Sequence, residues 1–240
     1  MPTELPPRSF DSPQPISPSA AVAIPAFLAR VYAWMAAGLL VTAACAFATL
    51  SNESVLRMVF GNRIVFFGLI IGELALVAWL SGMVGRLSAA AAGGVFLFYA
   101  ALNGLTLSVV FLAYTSASVV STFVVTAGMF GAMSVYGLVT KRSLDGVGSF
   151  AFMGLIGVVI ASLVNLFVKS DMLGFVLSCV GVIVFTALTA YDTRKLKMMA
   201  ATVDAGSEEG RRGAISGALA LYLDFINLFL MLLRLFGNRR

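Results

Sequence analysis

Two aspartates, Asp192 and Asp224, are the residues of this sequence whose type and position point most directly to chemistry. Asp192 lies in TALTAYDTRKL and Asp224 in ALALYLDFINLFLMLLRLFG, so each is in or at the edge of an apolar run. An ionised carboxylate at the centre of a membrane helix costs roughly 2.5 to 3.5 kcal/mol, so such a residue normally faces a protein interior, a polar cavity or a partner. Two carboxylates about 4 Å apart would repel by about 4 kcal/mol at an effective dielectric constant near 20. Such a pair would share one proton, and cytoplasmic pH would then control the local packing.

The elements that must position these aspartates are membrane helices. Hydrophobic residues make up 60% of the chain, charged residues only 11%, and the mean hydropathy is +0.99. Apolar runs of spanning length recur along nearly the whole sequence, which predicts an all-α, polytopic membrane protein. The predicted spans cover residues 28–50, 64–85, 88–113, 118–139, 148–168, 173–193 and 214–236.

The last span carries a polar stripe. Asp224, Asn227, Met231 and Arg234 follow helical spacing and therefore share one face. Such a face cannot contact lipid at reasonable cost, which predicts a seven-helix bundle with the C-terminal helix at its centre. A sealed structural network is the alternative interpretation of this stripe.

Asp192 has a competing interpretation as an interfacial carboxylate paired with Arg194 or Lys195. It can meet Asp224 only if the sixth helix continues past Arg194 inside the protein, or if the seventh helix begins before the membrane. The apolar segment LKMMAA after Arg194 permits the first option. Arg86, at the end of the second span, is the basic residue best placed to compete for one aspartate.

Further polar residues within the predicted spans are candidates for a pore or polar network. Glu73 lies well inside the second span, which predicts a cavity-facing or protonated carboxyl. Asn103 and Asn165 would either line a polar route or bond to neighbouring backbone.

The tail and the loops predict an orientation. All seven prolines lie in residues 1–25, which predicts a disordered cytoplasmic tail ahead of a transmembrane domain over residues 26–240. Most of the sixteen basic residues lie on the side of that tail, and the positive-inside rule therefore predicts a cytoplasmic N-terminus and an outside C-terminus. The basic residues on the tail side are Arg8, Arg30, Arg86, Lys141, Arg142, Arg194, Lys195, Lys197, Arg211 and Arg212.

Composition also narrows the function classes. The basic residues lie near span ends, so nucleic acid is not an expected partner despite a formal charge of +5. The sequence has no histidine, which removes the Ser-His-Asp triad and the common histidine metal sites. Cys45 and Cys179 each lie in an apolar run and are expected to be reduced. Paired aspartates can activate water in principle, but we expect no enzyme and no cofactor here.

The chain resembles the Bax inhibitor-1 (transmembrane Bax-inhibitor-motif) family in its bacterial inner-membrane branch. The resemblance extends over about residues 27 to 237 and is most specific in TAYDTRKL and LYLDFINLFLMLLRLFG, in that order. Other matching segments are VYAWMAAGLL, NGLTLSVVF, YGLVTKRSL and LVNLF.

The resemblance implies a seven-helix fold with a central last helix and, in some members, a pH-sensitive calcium leak. The paired aspartates of the family match Asp192 and Asp224, and the arginine that latches the first aspartate matches Arg86 best. Many relatives have a glutamine where this chain has Arg194, and the added charge would hold Asp192 ionised and blunt the switch.

Two main function hypotheses follow. The first is a proton-gated, calcium-permeable leak in which Asp192 and Asp224 share a proton and give calcium only a weak, transient site. The second is a non-transporting modulator of an ATP-dependent membrane protease and of stress responses, with the proline-rich tail as the handle. In both hypotheses the protein is a monomer of the bacterial inner membrane.

Overall fold

The computed structural model describes the backbone of residues 18–240 and side chains from residue 24 onward. These residues form eight α-helices and no β-strand, which confirms the all-α prediction. The helices are α1 (Pro18–Leu50), α2 (Glu53–Phe60), α3 (Arg63–Met83), α4 (Ala89–Ala113), α5 (Ser116–Val139), α6 (Asp145–Val168), α7 (Asp171–Ala200) and α8 (Glu208–Phe236). A short 3₁₀ turn, Val84–Arg86, joins α3 to α4.

Seven of these helices are long and apolar enough to cross a membrane. Helices satisfy their own backbone hydrogen bonds, which is why they are the form that an apolar chain takes in lipid. The exception is α2, a short helix between α1 and α3 whose exposed face carries the ion pair of Glu53 with Arg57. The predicted count of seven spans is therefore confirmed.

The last helix lies at the centre of the bundle. Helix α8 packs against α1, α4, α5 and α7, whereas α6 packs mainly on α7 and α3 mainly on α4. The large side chains of Leu221, Tyr222 and Leu228 on α8 are fully buried. The rings of Phe96 and Tyr99 on α4 contact the Tyr222 ring edge to face. The polar stripe of the last span thus correctly predicted a central helix.

The boundaries predicted between the last two spans were wrong. The sixth span was predicted to end at residue 193 and the seventh to begin at residue 214, but α7 continues to Ala200 and α8 already begins at Glu208. Leu196 and Ala200 are buried in the core cluster that includes Ala214 and Ala218 of α8. This packing replaces lipid and keeps the helix going past the basic residues. The predicted tail lies largely outside the described residues, and α1 begins at Pro18, within the range predicted for the tail.

Basic side chains tie the helices together at the end of the bundle that holds the α3–α4, α5–α6 and α7–α8 connections, which is the predicted cytoplasmic end. Arg194 of α7 donates to the Thr140 carbonyl over 2.5 Å, and Arg212 of α8 donates to the Gly85 carbonyl over 2.7 Å. Carbonyls at helix ends lack partners within the helix, so these bonds satisfy groups that would otherwise be left open.

The C-terminal residues dock at the opposite end of the bundle. The Thr115 N–H donates to the Asn238 carbonyl over 3.1 Å, and the Arg240 N–H donates to the Ala113 carbonyl over 3.0 Å. The chain after α8 therefore packs on the α4–α5 connection and lies away from the predicted cytoplasmic end. This arrangement places the C-terminus across the bundle from the α7–α8 loop.

Close packing between α5 and α7 depends on Gly137. A Cβ atom at this position would overlap the carbonyl oxygen of Ala190 and crowd the side chain of Thr193. Small residues at such crossings let helix backbones approach in a bilayer, where the hydrophobic effect does not drive helix association. This contact holds the stretch of α7 next to Asp192 against the bundle.

Candidate functional site

Asp192 of α7 and Asp224 of α8 meet inside the bundle. Their carboxyl groups come within hydrogen-bonding distance of each other. Asp192 is flanked one turn away on each side by buried Leu188 and Leu196, which direct this face of α7 towards the interior. From the sequence, the two aspartates could meet only if α7 continued past Arg194 or if α8 began early. Both features are present.

Asp224 is the more deeply buried member of this pair. Its residue is 5% exposed, and its Oδ2 atom has no hydrogen-bond donor among the described residues. Two ionised carboxylates are both acceptors, so a hydrogen bond between them requires a proton on one of them. An ionised and unpartnered carboxylate at this depth would carry a large desolvation cost. The geometry therefore favours one proton held between Asp192 and Asp224.

The two carboxyl groups line a cavity of about 640 Å³ between α3, α6, α7 and α8. A water molecule occupies about 30 Å³ in the liquid, so this space can hold water as well as an ion. The polar lining consists of Ser81, Ser149, Tyr191, Asp192, Lys195, Ser216, Asp224 and Asn227. We call this space the aspartate cavity.

Lys195 is the basic residue of the aspartate cavity. Its ammonium group attracts the carboxylate of Asp192 electrostatically, although Lys195 itself is exposed. Among residues 24–240, no salt bridge joins Asp192 to a basic side chain, so the alternative of a close ion pair with Arg194 or Lys195 does not describe this structure. The Arg194 guanidinium instead donates to the Thr140 carbonyl.

Arg86 lies outside the aspartate cavity. It ends the 3₁₀ turn after α3, is exposed, and is not part of the cavity lining. Within the described part of the chain it forms no salt bridge. A role for Arg86 as a latch would therefore require a second conformation in which this turn moves towards α7.

The polar stripe of α8 divides into three environments. Asn227 lines the aspartate cavity next to Asp224 and donates to the Leu223 carbonyl over 2.8 Å. Met231 is buried in an apolar cluster, and Arg234 is exposed near the end of the helix. Asp224 and Asn227 thus belong to the site, whereas Arg234 lies apart from it.

Glu73 and Asn103 belong to a second polar group that does not line the aspartate cavity. Thr106 of α4 donates to Glu73 of α3, with Oγ1 lying 3.1 Å from Oε1 and 3.3 Å from Oε2. Asn103 donates to the Tyr99 hydroxyl over 3.2 Å. The Thr106 bond joins α3 to α4 and places Glu73 against a neighbouring helix, whereas the Asn103 bond lies within α4.

Asn165 has a local backbone role. Its Oδ1 accepts the Ser170 N–H over 3.0 Å, and Lys169 between α6 and α7 adopts a left-handed conformation with φ of 53°. Asn165 therefore stabilises the turn between these helices. It does not line the aspartate cavity.

An apolar cluster lies beyond the aspartate cavity, towards the end of the bundle where the C-terminus docks. The cluster consists of Ala151, Val158, Val184, Phe185, Leu188, Leu228, Met231 and Leu232, and we call it the apolar plug. Only Phe185 and Leu188 of this cluster also line the aspartate cavity. On that side of the cavity, apolar side chains of α6, α7 and α8 are therefore packed against one another.

The ligands around the aspartate cavity suit only weak cation binding. Among the described residues, no group of three or more Asp, Glu, Cys or His side chains lies close enough together to hold a metal ion. Calcium prefers six to eight oxygen ligands, and here two carboxylates, an amide and several hydroxyls are available. Water would have to supply the remaining ligands.

The sequence did not single out the α6 side of the cavity. Ser149 and Phe152 line it, and Gly148 allows the Tyr191 ring to pack against the α6 backbone, because a Cβ atom there would overlap that ring. The preceding YGLVTKRSL segment resembled the family, but the only residue of α6 given a candidate role was Asn165, near the other end of that helix. The packing of α6 onto α7 is what identifies them.

Comparison with known proteins places this architecture in a family. A family model described as inhibitor of apoptosis-promoting Bax1 matches residues 24–240. The chain belongs to the Bax inhibitor-1 family. It is 55% identical over 215 residues to the inner membrane protein YbhL of Escherichia coli strain K12, covering 89% of this chain and 92% of that protein.

Relatives also occur in distant bacteria. A protein of Deinococcus radiodurans is 49% identical over 214 residues, covering 89% of this chain and 90% of that protein. A protein of Borreliella burgdorferi is 45% identical over 214 residues, covering 89% of this chain and 92% of that protein. The similarity to the E. coli inner membrane protein and the seven spans identify this chain as a multi-pass inner-membrane protein of the Bax inhibitor-1 family.

Proposed function

We propose that this protein is a proton-gated leak pathway for calcium, controlled by Asp192 and Asp224. The observation that carries the proposal is the buried Asp224 carboxyl. Its Oδ2 has no donor among the described residues, and it lies beside Asp192 in the lining of a cavity large enough for water and an ion. Buried carboxyl groups that lie side by side in a cavity are candidates for functional sites.

The proton determines which state is favoured. At low pH one shared proton joins the two carboxyl groups and stabilises the packing of α7 on α8. When that proton is lost, the repulsion between two carboxylates about 4 Å apart is about 4 kcal/mol at an effective dielectric constant near 20. This is enough to change the balance between two packings of the same helices. Flux should therefore increase as pH rises.

Opening would have to reach the apolar plug. Asp224 and Leu228 lie one turn apart on α8, so a shift of α8 at the aspartates also moves side chains of the plug. Calcium would then pass as a partly hydrated ion, with Asp192, Asp224 and Asn227 as transient ligands. We propose no enzymatic activity and no resident cofactor. We propose a monomer as the working unit.

The test is calcium flux into proteoliposomes between pH 6 and pH 8. We expect wild-type flux to rise with pH, and Asp192→Asn and Asp224→Asn to remove that dependence. Asp171→Asn is the matched control, because Asp171 is an exposed aspartate in the first turn of α7 and should leave the pH dependence unchanged. Absence of flux at every pH in a folded wild type would refute the leak.

Modulation of an ATP-dependent membrane protease is the second candidate, and the proline-rich residues ahead of α1 favour it. A segment of that composition can serve as a handle for a processive protease. Removal of residues 2–17 should abolish an effect on substrate turnover by such a protease and leave calcium flux intact. If the truncated protein instead lost calcium flux and kept its effect on the protease, those residues would belong to the transport pathway.

A further inference from the structure

A second cavity, of about 370 Å³, lies beside the aspartate cavity at the predicted cytoplasmic end. It is formed where the α5–α6 connection faces the last turns of α7. Its lining consists of Ser143, Leu144, Asp145, Tyr191, Arg194, Lys195 and Met198. We propose that this cavity binds the phosphate headgroup of an anionic phospholipid.

The charges of the lining fit a phosphate group. Arg194 and Lys195 are cationic, and only one of the two terminal guanidinium nitrogens of Arg194 is engaged with the Thr140 carbonyl. A guanidinium carries five N–H donors, so others remain for a phosphate oxygen. Asp145 is the one acidic group of the lining, and its Oδ2 accepts a hydrogen bond from Ser143 over 2.7 Å. The balance of charge is therefore positive.

The surroundings favour a lipid over a free anion. Met198 of the cavity lining is 58% exposed, and helix α6, which begins at Asp145 of the same lining, carries the 73% exposed Phe150. A phospholipid offers a phosphate for the basic pocket and acyl chains for such a surface. Basic pockets between spans on the cytoplasmic side are suited to anionic headgroups. A soluble phosphate would leave the apolar border unused.

Lys195 and Tyr191 line both cavities, which links lipid binding to the aspartate pair. Lys195 lines the aspartate cavity together with Asp192, and among the described residues no other cation does so. A phosphate in the second cavity would draw the Lys195 ammonium group away from Asp192 and so favour the protonated, closed pair. This consequence rests on the proposed leak function, whereas lipid binding itself does not.

Binding can be measured without any flux. Purified protein in detergent is mixed with phosphatidylglycerol, and the lipid retained is counted by native mass spectrometry. We expect Arg194→Gln combined with Lys195→Gln to lower retention by roughly tenfold or more, given about 1 kcal/mol for each basic residue near an anionic headgroup. Lys195→Gln alone preserves the Arg194 bond to Thr140 and should show part of this loss.

The matched control is Lys141→Gln combined with Arg142→Gln. These two residues carry the same total charge as Arg194 and Lys195. They lie in the α5–α6 connection, which borders the cavity, but they do not line it. Equal loss in both double variants would indicate a diffuse surface attraction and overturn the site. Displacement of the lipid by millimolar inorganic phosphate would show a free-anion site and overturn the lipid assignment.

Flux then tests the link between the cavities. In vesicles of neutral lipid with added phosphatidylglycerol, the rise of wild-type flux should move to higher pH than in neutral vesicles. In Lys195→Gln this shift in the pH at which flux rises should be smaller. Only the shift that proton enrichment causes at any anionic surface should remain. An equal movement in both proteins would refute the link. Lipid retention without flux would leave the site standing and refute the leak alone.

Discussion

The Ala89 N–H at the start of α4 donates to Oε1 of Glu208 at the start of α8, over 2.6 Å. A side chain of the last helix therefore satisfies an open donor at the N-terminus of the third span, close to the turn that carries Arg86. Arg212 strengthens the same connection through its bond to the Gly85 carbonyl. Two side chains near the start of α8 are therefore bonded to the α3–α4 connection.

Replacing Glu208 with Ala should lower the thermal unfolding temperature, because the Ala89 donor loses its charged acceptor. Glu209→Ala is the matched control, since Glu209 is an adjacent exposed glutamate that forms no hydrogen bond or ion pair with the described residues. The measurement is unfolding followed by size-exclusion fluorescence in detergent. Equal behaviour of both variants would assign no structural role to the Glu208 bond.

Gly137→Ala should destabilise the bundle by about 1 to 3 kcal/mol, because the added methyl group forces α5 away from the Ala190 carbonyl of α7. Gly128→Ala on the same helix meets no neighbouring atom within 4 Å and should be neutral or stabilising. Thermal unfolding of both variants tests this difference. A neutral Gly137→Ala would show that α5 and α7 are not in close contact.

Met231→Ala should increase calcium flux at the pH values that permit it, because the substitution opens the apolar plug. Met231 is 8% exposed and packs against Gly181 of α7. Loss of a buried methionine also costs about 2 to 5 kcal/mol, so a lower unfolding temperature should accompany the larger flux. Met153→Ala is the control, since Met153 is 70% exposed on α6. Unchanged flux in Met231→Ala would place the ion route elsewhere.

Glu73→Gln should retain the pH dependence of flux, because Glu73 bonds to Thr106 and does not line the aspartate cavity. An amide can still accept the Thr106 hydroxyl, so the unfolding temperature should also change little. The measurement is the same flux series from pH 6 to pH 8 that is used for the aspartates. If Glu73→Gln alone abolished the dependence, the proton sensor would lie between α3 and α4.

The orientation that the basic residues predict is open to a direct test. Reporter enzymes that fold only in the cytoplasm or only in the periplasm can be fused to either terminus. We expect cytoplasmic activity at the N-terminus and periplasmic activity at the C-terminus. A cytoplasmic C-terminal reporter would mean that the last helix does not fully cross the membrane.

The sequence by itself determined the class of the protein, the number of spans and the central position of the last helix. These features depend on apolar run length and on the cost of a polar face in lipid, which are properties of each segment alone. Asp224 and Asn227 could be assigned to an interior face for that reason. Asp192 could not, because Arg194 and Lys195 beside it are equally consistent with an interfacial position.

Only the tertiary structure decided whether the two aspartates meet. Helix α7 continues to Ala200 because Leu196 and Ala200 pack against α8, and this contact is formed by residues distant in sequence. The position of Lys195 between the two cavities also depends on the tertiary structure, because both cavities are created by the packing of α6 and α8 around α7. Local sequence specifies which segments enter the bilayer, whereas the pairing of side chains depends on helix rotation and approach within the folded bundle.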